Sequence, residues 1–225
     1  MNRTTFTLLE EYMLACMKDS AHDREHVYRV LNNALAIAQG EQDVNWDVLI
    51  ASALLHDISR PEQLADPRVD HASHGADKAY AFLQENGFDQ TFCAHVRGCI
   101  RTHRFRKTEP PSTLEARILF DADKLDVAGT IGIARTLEYN GETGRPIYTR
   151  DENGVISDGT GDRADSFFKE YKFKLEGIYD HFLTRRGAEL ARQRQRAAQD
   201  FYAALLAEVR DEKGSGCLDD LLTDA

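Results

Sequence analysis

The chain has 225 residues, roughly one and a half times the ~150 residues of a typical domain, which predicts one compact domain with a helical extension. Its 28 Lys and Arg residues against 38 Asp and Glu residues give a formal net charge of −10. A strongly acidic chain is repelled by a phosphate backbone. The composition therefore argues against general nucleic-acid binding and favours a small substrate.

The sequence also bears on the cellular setting. It contains no run of the ~18 apolar residues that a bilayer span requires, and its first residues do not form a signal-peptide core. The four cysteines form no CxxC pair, so they predict neither a zinc knuckle nor a disulfide framework. We therefore expect a cytoplasmic protein without a membrane partner.

Apolar residues recur at intervals of three and four along most of the chain, which predicts an all-α fold. The segment from Trp46 to His56 is almost entirely apolar and is expected to form a central, buried helix. Further helices are predicted over about residues 71–86, 89–103 and 112–139, the last of them starting after Pro110-Pro111-Ser112.

Residues 140–163 change character, because five glycines occur there. They predict a long loop, with a small hairpin around Asp151-Glu152-Asn153-Gly154 as an option. A loop of this length is typical of a lid or mobile insertion as well as of disorder.

Helical spacing resumes after the loop and predicts a C-terminal helix pair between residues 164 and 212, packed on the preceding bundle. The predicted domain spans residues 1–213 with a core at about 20–140. Residues 214–225 are expected to form a frayed tail.

Ionisable groups stand beside apolar helical faces at three places, namely at His26, at the adjacent pair His56-Asp57 and at Asp123. A buried carboxylate or imidazole costs several kcal/mol unless it is paired or coordinated. A divalent cation would meet this requirement. Two imidazoles with two carboxylates suit manganese, iron, zinc, cobalt or nickel, and also magnesium, so the metal is left open.

The order and spacing of these residues resemble the signature of the HD-domain metal-dependent phosphohydrolase superfamily: His26, then His56-Asp57 within Ala-Leu-Leu-His-Asp-Ile, then Ala122-Asp123-Lys124-Leu125. Segments such as Thr102-His103-Arg104-Phe105 are similar to its small stand-alone bacterial YedJ/YpgQ-type branch. The resemblance implies an all-helical fold, a divalent cation held by His26, His56, Asp57 and Asp123, and hydrolysis of phosphoester or phosphoanhydride bonds. Some relatives in the branch act on nucleotides.

Two further acidic residues accompany the last ligand. Asp121 lies almost on the opposite side of the helix from Asp123, which favours a salt bridge or a supporting contact near Arg117 and Lys124. Asp126 follows Asp123 by one turn and could orient a ligand or a water.

A second ion is an open alternative, because some branches of the superfamily hold two. His71 and His103 match the additional positions in those branches, and His74 is the next candidate. In that arrangement Asp57 would bridge the two ions. The competing interpretation is that His71 and His103 are ordinary structural histidines.

Phosphate handling requires fixed positive charge. Arg29 and Lys124 adjoin the predicted ligands and, with Arg104 and Asp57, are the predicted catalytic residues. Arg101, Arg104 and Lys124 are the predicted substrate-binding residues. The cluster from Arg97 to Lys107 is equally consistent with a solvated helix face.

The sequence therefore predicts a metal-dependent phosphohydrolase acting on a small phosphorylated molecule, with a nucleotide as the leading substrate and manganese as the first cation to test. A nucleotidase and a nucleoside triphosphate pyrophosphohydrolase both fit. The alternatives are a di-iron oxygenase of the same fold, which would require His71 and His103, and a regulatory module that binds a nucleotide without turnover. No P-loop, Rossmann or serine-hydrolase motif occurs.

Overall fold

The structure is a computed structural model that describes residues 1–17, 21–104 and 109–211. Within these ranges the chain forms helices α1 (Arg3–Cys16), α2 (Ala21–Ala38), α3 (Trp46–Leu55), α4 (Arg60–Ala65), α5 (His71–Glu85), α6 (Gln90–Arg101), α7 (Leu114–Leu125), α8 (Gly129–Glu142), α9 (Phe167–Glu170) and α10 (Arg185–Asp211). The predicted all-α class is confirmed. None of the helices in these ranges has the length and apolar character needed to cross a membrane.

Two compact units are present, one formed by Met1–Asp126 with Phe182–Leu190, the other by Val127–His181 with the chain from Ala191 on. The single-domain organisation over residues 1–213 stays a prediction. The predicted tail at 214–225 lies outside the described residues.

Helix α3 is central to the first unit. It packs against α1, α2, α6 and α7, and most of its side chains are buried. The Asn45 side chain accepts a hydrogen bond from the backbone N–H of Val48 and so caps the start of the helix. The helix ends at Leu55, which places His56 and Asp57 directly beyond a buried apolar segment.

The prediction of one continuous helix over residues 112–139 is wrong, because the chain forms two helices there, α7 and α8. Between them Ala128 is extended and Gly129 has a φ of +72°, a conformation that glycine adopts without steric cost. The apolar spacing continues across this break, so periodicity alone did not reveal it.

The second unit has its own core, formed by Ile133, Ile156, Phe167, Phe168, Tyr171, Leu175, Ala198 and Tyr202. In the predicted loop, Arg150 and Ile156 form an isolated antiparallel bridge. The backbone N–H groups of Asp151 and Ser157 donate to the carbonyl oxygens of Val155 and Thr149, so the segment forms a short hairpin. The first helix of the pair predicted between residues 164 and 212 is irregular: α9 is followed by a π-helical turn at Tyr171–Leu175 and a 3-10 turn at Ile178–Asp180.

Candidate metal centre

The first group of predicted ligands comes from three helical regions of the first unit. His26 lies in α2, His56 and Asp57 follow α3, and Asp123 lies in the last turn of α7. His26 Nε2 is 3.3 Å from His56 Nε2 and 3.2 Å from Asp123 Oδ1. Asp57 Oδ2 lies 3.6 Å from the same His26 atom. The structure therefore brings these four side chains to one point.

A second group adjoins the first. His71 begins α5 and His103 follows α6, and both imidazoles are buried. Asp57 Oδ1 lies 3.2 Å from His71 Nε2 and 3.7 Å from His103 Nε2. We call His26, His56 and Asp123 the first cluster and Asp57, His71 and His103 the second cluster. The potential ligand atoms of each cluster lie within 4.8 Å of one another.

Asp57 connects the two clusters, because Oδ2 faces the first and Oδ1 the second. Oδ1 is buried and has no hydrogen-bond partner among the described residues. His71 Nε2 is close to it, but the contact lacks hydrogen-bond geometry. An unsatisfied buried carboxylate oxygen costs free energy. A cation at Oδ1 would remove this cost, so the residues present fit a metal site.

Two of the four imidazoles are anchored by backbone carbonyls. His56 Nδ1 donates to the carbonyl oxygen of Ala53 at 2.8 Å, and His103 Nδ1 donates to that of Ile100 at 2.6 Å. A carbonyl oxygen only accepts, so the proton of each ring lies on Nδ1. The lone pair on Nε2 is then directed at the cluster, as in metal-binding histidines.

The other two imidazoles are anchored by side chains. His71 Nδ1 is 2.7 Å from Gln63 Oε1, and the same oxygen accepts a 2.7 Å hydrogen bond from Arg60. His26 Nδ1 is 2.7 Å from Asp126 Oδ2. These contacts also direct Nε2 of each ring at its cluster.

The clustering of charges perturbs the ionisation of the site. Burial lowers the pKa of His26, but its contacts with Asp123 and Asp126 outweigh burial and raise that pKa to about 9. Burial and the nearby His56 lower the pKa of His103 to about 4. Burial would raise the pKa of Asp123, yet the His26 imidazole holds it below its ordinary value. The carboxylates therefore favour a positive charge at His26, and a cation can take that place.

Of the predicted catalytic cations, Arg29 contacts Asp126, with Nε 2.6 Å from Oδ1 and Nη2 3.0 Å from Oδ2. The ammonium of Lys124 lies over the Phe120 ring, 4.2 Å from its centre. Burial lowers the pKa of Lys124. Arg104 follows His103 directly and is exposed.

Arg101 was predicted to bind the substrate, and this role stays a prediction. Its guanidinium pairs with Glu109 at 3.1 Å, and both residues line a cavity of about 350 Å³ beside α6. An anionic substrate would have to compete with Glu109 for this guanidinium. Arg106 and Lys107, which belong to the same predicted basic cluster, lie outside the described residues.

Asp121 was predicted to form a salt bridge or a supporting contact near Arg117 and Lys124. Its carboxylate is fully buried and accepts hydrogen bonds from the backbone N–H groups of Leu183 and Thr184 and from the Thr184 hydroxyl. Burial raises the pKa of Asp121, and the nearby charge of Lys124 acts against this effect. Asp121 belongs to neither cluster. Its role is to hold the segment that starts α10.

Arg60 and Gln63 are residues that the sequence did not indicate. They lie on α4 and reach His71 only because α4 and α5 pack together. Neither residue is part of a recognisable motif, so only the tertiary contact reveals them. His74, the alternative to His71, is exposed and contacts the Ser59 hydroxyl at 2.8 Å.

Comparison with known proteins agrees with this geometry. Residues 24–128 match the family described as HD domain, and this span contains both clusters. The matched segment is the one that carries the predicted resemblance to the HD-domain superfamily.

Its relatives include YpgQ of Bacillus subtilis (strain 168), 26% identical over 193 residues that cover 85% of this chain and 86% of YpgQ. A crystal structure of YpgQ in complex with ADP has a TM-score of 0.67 and 22% identity, covering 89% of this chain and 97% of that one.

Two further crystal structures share the fold. A HD-superfamily hydrolase from Bacillus thuringiensis has a TM-score of 0.71 and 24% identity, covering 92% of this chain and 97% of that one. A predicted HD superfamily hydrolase from an uncultured Thermotogales bacterium has a TM-score of 0.62 and 28% identity, covering 92% and 99%.

Proposed function

We propose that the protein hydrolyses a phosphoester or phosphoanhydride bond of a nucleotide with the help of a divalent cation. The observation that carries the proposal is the convergence of four imidazole Nε2 atoms on the two oxygens of Asp57. The crystal structure of YpgQ with ADP supports a nucleotide as the substrate class.

The proposed ligands of the first ion are His26, His56, Asp57 and Asp123. A second ion would be held by Asp57, His71 and His103. Imidazole and carboxylate ligands accommodate manganese, iron, cobalt, nickel, zinc and magnesium, and manganese is our first choice. A divalent cation in this site would supply an acidified water and a Lewis acid for the phosphoryl oxygens.

Asp57 and the basic side chains of the site are assigned different roles in the proposed reaction. Asp57 is held ionised, since the imidazoles around it, His56 foremost, overcome the effect of burial and keep its pKa well below the ordinary value. As an ionised carboxylate it offers two acceptor oxygens, and we assign it the acceptance of a proton from a water in the site. Lys124, Arg104 and Arg101 are proposed to bind phosphate oxygens. Arg29 is assigned to hold Asp126 instead, because its guanidinium lies on that carboxylate.

The decisive experiment compares His56→Ala and Asp57→Ala with the matched control His74→Ala, an exposed histidine outside both clusters. Purified proteins are assayed against nucleotides and phosphomonoesters with manganese, magnesium, cobalt, nickel and iron in turn. We expect the first two variants to lose metal-dependent product release and the control to retain it, all with an unchanged helical circular-dichroism signal. Full activity in His56→Ala would refute the proposed site.

The products also define the reaction. Orthophosphate released from a nucleoside monophosphate identifies a nucleotidase, whereas pyrophosphate released from a triphosphate identifies a pyrophosphohydrolase. Saturable nucleotide binding without any product would instead support a regulatory module.

The second cluster favours one competing function, a di-iron oxygenase of the same fold, because His71 and His103 complete a second set of ligands. Oxygen uptake by the iron-loaded protein would support it. Hydrolysis by the iron-loaded protein without oxygen consumption would exclude it. A cytoplasmic location and the lack of nucleic-acid or membrane partners stay predictions from composition.

A further inference from the structure

The four imidazoles of the centre do not have equivalent partners at Nδ1. His56 and His103 donate to neutral backbone carbonyls, and His71 contacts the neutral amide oxygen of Gln63. His26 instead contacts the carboxylate of Asp126. The first cluster is thus supported by a formal negative charge immediately behind one of its rings.

The Asp126 carboxylate is buried and is held in place by hydrogen bonds. Its side chain is 1% exposed. Both of its oxygens meet the Arg29 guanidinium, at 2.6 and 3.0 Å, while Oδ2 also meets His26 Nδ1 at 2.7 Å. A two-pronged guanidinium contact restricts the orientation of a carboxylate. Arg29 therefore holds Asp126 in the orientation that contacts His26.

The second cluster has a different electrostatic support: the Arg60 guanidinium lies next to the His71 ring itself, whereas at the first cluster Arg29 contacts the Asp126 carboxylate that contacts His26. Arg60 Nη1 lies 3.3 Å from His71 Nδ1 and 2.7 Å from Gln63 Oε1. A guanidinium directly behind a ligand repels a cation at Nε2, whereas a carboxylate behind a ligand attracts it and makes the imidazole a stronger donor. The two clusters should therefore differ in their affinity for the same metal.

We propose that Asp126, held by Arg29, is a positioning residue that makes the first cluster bind a divalent cation more tightly than the second cluster does. This inference rests on the proposed metal-dependent function. It implies stepwise loading, with the first cluster occupied at low metal concentration and the second only at a higher one.

The test is a titration of the metal-free full-length protein with Mn²⁺, with free Mn²⁺ measured by electron paramagnetic resonance. We expect two unequal classes of site in the unmodified protein. Asp126→Asn should weaken the tighter class by about 10- to 100-fold, as is usual for loss of a supporting carboxylate. Asp77→Asn, which breaks the surface pair with Arg97, is the matched control and should change neither class.

Gln63→Glu is an independent test that does not depend on the folding of the Asp126 variant. It places a carboxylate behind His71 and beside Arg60, so the weaker class should bind Mn²⁺ roughly 10-fold more tightly. Two equal classes in the unmodified protein, unchanged affinities in folded Asp126→Asn, or an unchanged weaker class in Gln63→Glu would each overturn the inference.

Failure of this inference can be distinguished from failure of the proposed function. Hydrolysis that is lost in His56→Ala, together with an unaltered metal affinity in Asp126→Asn, refutes the positioning role alone. Two unequal Mn²⁺ sites without hydrolysis of any phosphorylated compound refute the hydrolase proposal alone. In an active enzyme, Asp126→Asn should require more Mn²⁺ for half-maximal rate, with kcat restored at saturating metal.

Discussion

Replacing Asp121 tests whether its carboxylate stabilises the fold or binds a metal ion. Its two oxygens accept hydrogen bonds from the Leu183 and Thr184 N–H groups at 2.8 and 2.7 Å and from the Thr184 hydroxyl at 2.6 Å. The same hydroxyl accepts a hydrogen bond from the Gly187 N–H in the first turn of α10. Asp121→Ala would leave the buried Thr184 N–H without an acceptor and release the hydroxyl that caps the helix.

The expected cost follows from these contacts. A buried donor left unsatisfied costs about 1–3 kcal/mol, and loss of a capping interaction costs about 0.5–2 kcal/mol. The Leu183 N–H is partly exposed and adds less. The sum is roughly 1.5–5 kcal/mol, a large share of the ~5–15 kcal/mol by which proteins are stable. At about 2–4 °C per kcal/mol for a chain of this size, the melting temperature should fall by roughly 3–20 °C.

The assay is urea and thermal denaturation of Asp121→Ala beside Asp121→Asn, which keeps one acceptor oxygen and should lose less stability. Mn²⁺ affinity, measured on the folded proteins at low temperature, should be the same in both variants as in the unmodified protein. Stability within 1 kcal/mol of the unmodified protein, or a selective loss of Mn²⁺ affinity, would refute the structural role.

Two further predictions concern pH and packing. The pKa of His26 is about 9 in the folded protein and 6.5 without the fold. Protonation of His26 therefore stabilises the metal-free protein fully below pH 6.5 and progressively less as the pH rises through 9. Urea midpoints of chelator-treated protein should fall between pH 6 and 9.5, and flat midpoints would contradict this prediction. Gly132→Ala should be strongly destabilising, because the added Cβ would lie 2.0 Å from the Val127 carbonyl oxygen. Gly98→Ala has open space around it within α6 and should stabilise the protein by about 0.5–1 kcal/mol. Equal melting temperatures of the two variants would show that the close approach at Gly132 does not matter.

The sequence by itself determined the helical class and the residues of the first cluster. Apolar spacing is a local property of each helix, so α3, α5 and α6 emerge within a few residues of their predicted bounds. His56 and Asp57 could be recognised because ionisable residues at the end of an almost wholly apolar helix require a partner. His26 and Asp123 followed from their order and spacing relative to that pair.

Only the tertiary structure decided the roles of the remaining residues. Asp126 reaches His26 across 100 positions of sequence, and Asp121 reaches Thr184 across 63. The sequence therefore did not indicate that Asp121 holds the segment around Thr184. Hydrogen bonds depend on ångström-scale distances and direction, and a pattern of residue types along one chain carries no information about which distant donor will meet a given carboxylate.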